Sequence, residues 1–143
     1  MVIKTFWLLL GIFVFVLGQL FIPLVENLFR GSLLFLLPFI IFSLCGALLI
    51  FLTLKKKVEG NLKKFLLLTG FSASCIFVGI FLHNFFYAIG VITEHIFGLY
   101  HFVQLLHVIF FVIAMIICPI GFLIGTIGVI IIIRKTPKPP HQL

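Results

Sequence analysis

The sequence predicts an all-α integral membrane protein, four transmembrane helices in an up-down-up-down antiparallel bundle. Two observations carry this. Of 143 residues, 64% are hydrophobic and 9% charged, with a mean hydropathy of +1.44, against roughly 45–50% apolar content in soluble domains. The apolar residues also fall into four runs long enough to cross a hydrocarbon core about 30 Å thick, which takes around 20 residues per helix. The gaps between runs are short, which favours antiparallel neighbours. Together the runs fill residues 1–135 as a single transmembrane domain and leave no room there for a soluble one.

The first span is predicted over residues 5–28, opening with Phe6 and Trp7, an interfacial anchor, and closing around Pro23, Glu26 and Asn27. Its start mimics a signal peptide, with Val16, Leu17 and Gly18 at a candidate cleavage point, but the apolar run continues past them, which favours a retained span. Gly31 then serves as a helix stop and Ser32 as an N-cap. The second span covers residues 33–54, with Pro38 about one turn inside it. A third follows over 65–92 and a fourth over 102–133, and residues 136–143, rich in proline, read as a disordered cytoplasmic tail. The last two spans exceed what the hydrocarbon requires, so they must tilt, kink or protrude, and Pro119 with Gly121 supplies a kink point.

Orientation follows from the lysines. Residues 55–64 carry five lysines against Glu59, and no Lys or Arg occurs between Phe65 and Ile133. The positive-inside rule places the 55–64 loop and both termini in the cytoplasm, in a multi-pass protein of the plasma (cell) membrane. The net charge of +7 sits in gaps and at the tail rather than on an aromatic-interleaved patch. It therefore points to anionic lipid headgroups at residues 55–64, and not to nucleic acid. Cys45, Cys75 and Cys118 are widely spaced, lack a CxxC motif and lie mid-run. They read as small hydrophobes rather than a disulfide framework.

Polar residues are distributed unequally. The inner half of the bundle holds Thr53, Thr69, Ser72 and Thr126, hydroxyls able to bond back to their own helix. The outer half holds Gln19, Glu26, Asn27, Arg30, His83, Asn84, Tyr87, Glu94, His95, His101, Gln104 and His107. Helical spacing aligns Ser72, Gly79, His83, Tyr87, Gly90 and Glu94 on the third span. On the fourth it aligns Tyr100, Gln104, His107, Phe111, Ala114, Cys118, Gly121 and Gly125. Gly79, Gly121 and Gly125 are the expected points of close helix packing, with Gly121 and Gly125 a possible oligomer contact. Glu26 and Arg30 are spaced for an ion pair.

Counting inward from the external ends puts Gln19, His83 and His107 at one level, where a polar group facing lipid would be costly. Gln19, Glu26, His83, Tyr87, Gln104 and His107 thus form the candidate ligand-binding layer. A metal site would take His83 and His107, with Glu94 or His95 as third ligand. Haem b would use the same two histidines axially, with Gly79 and Gly90 leaving space. No nucleophile, phosphate loop or paired carboxylates stand in catalytic array, so no enzyme is predicted. The reading is a non-enzymatic oligomeric or accessory subunit, a homo-oligomer or a partner of other membrane proteins. Its alternatives are a haem- or transition-metal-binding redox subunit and a small oligomeric transporter or channel.

Overall fold

The computed structural model describes residues 1–21 and 36–135. They form α1 (Val2–Phe21), α2 (Leu37–Lys55), α3 (Gly60–Ile92) and α4 (Phe97–Val112), which continues through a π-helical turn (Ile113–Ile117) into α5 (Cys118–Lys135). The chain is thus all-helical among the described residues, with four helices long and apolar enough to cross a membrane: Val2–Gln19, Leu37–Lys55, Gly60–Ile92 and Gly98–Lys135. The expected ion pair of Glu26 and Arg30, the caps at Gly31 and Ser32, and the tail 136–143 lie outside the described residues.

Helix boundaries differ from the sequence reading for local reasons. α2 begins at Leu37, not residue 33, because Pro38 lies in its first turn, where a missing N–H costs nothing. α3 begins at Gly60, so Lys63 and Lys64 ride on its first turns instead of in a loop. The connection between α2 and α3 shrinks to Lys56–Glu59, closed by Lys57 N–H on Leu54 O and Val58 N–H on Thr53 O. Lys57 there takes a left-handed φ of 49°. At the other end, Thr93 bonds Ile89 O through both its N–H and its hydroxyl, stopping α3, and Ile96 N–H returns to Thr93 O before α4 starts. The irregularity expected at Pro119 is the π-helical turn just before it. Proline cannot donate to the preceding turn, and the widened turn absorbs that loss.

The core gathers toward the Lys56–Glu59 end. Phe13 of α1 packs on Phe122 of α5 at 4.5 Å between ring centroids, and Phe42 of α2 packs on Phe122 at 5.3 Å. Phe6, Leu9, Leu49, Leu66 and Val129 surround these rings, all fully buried. α3 is the hub, packing against α2, α4 and α5. Its contacts keep one register: Phe65 meets Gly128, Thr69 meets Gly125, Ser72 meets Gly121 and Gly79 meets Ala114. Residue numbers fall on α3 as they rise along its neighbour. Beyond Gly79 the buried set of α3 is reduced to Gly90, and among the described residues α4 buries only Val103. This far part of the α3–α4 pair has little apolar core and needs another means of registration.

Candidate functional site

That means is polar. His83 of α3 donates from Nδ1–H to the carbonyl of His107 at 3.1 Å, and His107 of α4 donates from Nδ1–H to the carbonyl of His83 at 3.1 Å. A carbonyl only accepts, so both rings carry a proton on Nδ1. The imidazoles stack with centroids 4.0 Å apart and planes 25° from parallel. Phe111 lies 5.3 Å from the His83 ring and Tyr87 lies 5.5 Å from the His107 ring. Each helix therefore lends a side chain to the other's main chain, a reciprocal clasp.

A second clasp repeats the device between α2 and α3. Ser43 donates to the carbonyl of Ser74 at 3.1 Å and Ser74 to that of Ser43 at 3.2 Å. Beside it Gly46 and Gly70 abut, so that a Cβ on Gly46 would fall 2.8 Å from Gly70 O. This pair was not legible in the sequence, because a serine within an apolar helix ordinarily bonds its own helix. The small residues Gly46, Gly70 and Ala73 next to it were the available signal.

The predicted layer is brought together only in part. Gln19 is fully buried on α1. Gln104 packs its amide against Gly90, within 3.1 Å of where a Cβ would stand. Tyr87 lies beside the His107 ring but is 54% exposed. Glu26 lies outside the described residues. Glu94 and His95 sit exposed in the 93–96 turn, past the end of α3 at Ile92, which is itself about 14 Å along the helix axis from His83 at 1.5 Å per residue. They do not join the histidine pair. Among the described residues no three His, Cys, Asp or Glu side chains are grouped to hold a metal ion. The haem expectation finds no support in the ring geometry either. Axial ligation by two histidines requires a flat macrocycle between them, and these rings are face to face at 4.0 Å.

The inner hydroxyls behave as expected at Thr53 and Thr69, which bond Leu49 O and Phe65 O four residues back. Thr126 does not: its Oγ1 is buried without a hydrogen-bond partner. Gly79, Gly121 and Gly125 are packing glycines, and all three face another helix of the same chain. The oligomer contact expected through Gly121 and Gly125 is corrected accordingly, because α3 already fills that face.

A cleft of about 330 Å³ opens beside the histidine clasp, between Phe39 of α2, Ile80, His83 and Asn84 of α3, and Phe111, Ala114 and Met115. The Asn84 amide donates to Ile80 O at 2.8 Å within its own helix. A larger groove of about 590 Å³ between α1 and α2 is apolar, lined by residues such as Trp7, Phe15 and Pro38. Compared with protein-family models, curated proteins and solved structures, the chain finds no match.

Proposed function

We propose that the protein is a non-enzymatic, multi-pass subunit of the plasma membrane that assembles with further copies of itself or with other membrane proteins. Its helices would alternate up-down-up-down, with both termini cytoplasmic and the lysine-bearing 55–64 segment against anionic headgroups. The observation that carries this reading is the reciprocal His83–His107 clasp. The ionisable groups best placed in depth for catalysis or ligand capture are committed to holding two helices in register. Intramembrane hydrogen bonds of this kind serve structure, at about 0.6–2 kcal/mol each. Each span also buries only 22–33% of its apolar window within the chain, leaving broad faces for lipid and for neighbours.

The test is crosslinking in native membranes together with reconstitution. Expected are discrete multimers or one defined heteromeric band at low crosslinker, from a protein that is colourless, free of stoichiometric metal and inactive in ion-flux assays. A monomer that conducts ions in liposomes would overturn the reading.

A further inference from the structure

The histidine clasp commits only one nitrogen of each ring. With Nδ1 of His83 donating to the carbonyl of His107, Nε2 of the neutral imidazole keeps its lone pair. Among the described residues nothing donates to it. The neighbouring Asn84 also has capacity to spare. Ile80 O only accepts, so the Asn84 amide turns its nitrogen toward it, which leaves Oδ1 and one N–H unused. Both residues line the cleft of about 330 Å³ between α2, α3 and the Phe111–Met115 segment. Polarity in this cleft runs one way along the helix axis. His83 and Asn84 stand at its end nearer Ile92; Ile80 lies about a turn toward Gly60, followed by Ala114, which meets Gly79, and by Met115. Among the described residues no Lys or Arg lines it. At 1.5 Å per residue, Asn84 stands about 30 Å from Lys64, the thickness of a hydrocarbon core. A bilayer with one boundary at Lys63 and Lys64 therefore has the other near His83 and Asn84, and the apolar floor of the cleft lies at the depth of acyl chains.

We propose that this cleft binds a neutral lipid with one free hydroxyl, of the diacylglycerol class. The hydroxyl sits at His83 and Asn84, and one acyl chain runs against Ile80, Ala114 and Met115. A hydroxyl both donates and accepts, so it gives its proton to Nε2 of His83 and takes the spare N–H of Asn84. A phosphate fits poorly, because its oxygens only accept and would face the lone pairs of Nε2 and Oδ1 with no cation beside them. An ester carbonyl alone would leave Nε2 without a donor. The volume is at the low end for small-molecule sites, about 300–1,000 Å³. It therefore takes the glycerol and part of one flexible chain, while the rest of the lipid stays in the bilayer; a rigid ring system has no such freedom. Binding of this kind leaves the clasp intact, since the lipid uses the nitrogen that the clasp does not.

The experiment uses the full chain in phosphatidylcholine nanodiscs with a diacylglycerol that carries a diazirine in one chain. After illumination, digestion and mass spectrometry, saturable crosslinks are expected in the peptides that hold Ile80 and Met115. Dioleoylglycerol should compete them away. Its O-methyl ether, which cannot donate, and dioleoyl phosphatidic acid should each compete about tenfold less well. Asn84→Leu, at an exposed position, should weaken binding about 3- to 10-fold. Met115→Trp, also at an exposed position, should fill the cleft and abolish the crosslinks. Equal competition by the ether or by phosphatidic acid would overturn the proposal, as would crosslinks that persist in Met115→Trp. Labelling that never saturates over phosphatidylcholine would overturn it too, because the cleft would then take any acyl chain. Competition on the unmutated protein is the primary readout, so the outcome does not depend on whether either variant folds or on whether copies of the chain assemble.

Discussion

His83 and His107 each give a side chain and receive on a main chain, so replacing one ring leaves the opposite hydrogen bond in place. His83→Ala and His107→Ala are each expected to lower bundle stability by about 1–3 kcal/mol, combining one intramembrane hydrogen bond with lost packing. The coupling between them isolates the stacked rings and should amount to about 0.5–1.5 kcal/mol in a double-mutant cycle. Equilibrium unfolding in mixed micelles measures both quantities, and variants as stable as the parent would show that the clasp holds nothing. Thr126 offers the opposite case. Its hydroxyl is buried without a partner, so Thr126→Val keeps the shape, removes an unsatisfied group, and should be neutral or stabilising by up to about 1 kcal/mol. In the sequence, depth and helical spacing were enough to bring His83 and His107 to one level. The reciprocal bonding was not readable, because which carbonyl a ring reaches depends on the separation and rotation of two helices.

At the scale of an element, the helices are spaced by what their small residues allow. Gly46 and Gly70 let α2 and α3 meet at backbone distance, and a Cβ on Gly46 would fall 2.8 Å from both Ala73 Cβ and Gly70 O. Gly46→Ala must push the helices apart and is expected to cost about 1–3 kcal/mol. Gly11 of α1 has nothing within 4 Å of its Cβ position. Gly11→Ala should therefore gain the ordinary helix preference of alanine, about 0.5–1 kcal/mol, and the two variants compared in one micelle titration should shift in opposite directions. The apolar runs revealed all four long helices because hydrophobic length is a strong signal. Their ends were less legible. Proline at a first turn and lysines on the opening turns of a helix look in sequence like loop, and a π-helical turn inserts its irregularity without changing composition. Pro119 marked the place, but not the form.

For the whole molecule, the arrangement of charge is what predicts an orientation. The exposed Lys55, Lys56 and Lys57 gather at one end of the bundle, while the opposite turn carries Glu94 and His95 and no lysine. Moving the lysine end across a bilayer would strand several ammonium groups against the positive-inside bias. The expected orientation keeps Lys56 in the cytoplasm and Gly98 outside. Lys56 and Gly98 are both exposed, and a Cβ at Gly98 meets nothing within 4 Å, so a cysteine at either position should leave the helices undisturbed. In a background with Cys45, Cys75 and Cys118 replaced by serine, an impermeant maleimide applied to intact cells should label Gly98→Cys. Lys56→Cys should react only after the membrane is opened. Labelling of Lys56→Cys in sealed cells would invert the topology and move the histidine clasp into the cytoplasmic half. Labelling of both positions would mean that the chain inserts in two orientations, as expected if the lysine bias is too weak to decide between them. Replacing Lys55, Lys56 and Lys57 with glutamine separates these cases, because a topology set by charge should then become mixed, whereas one set by helix packing should not change.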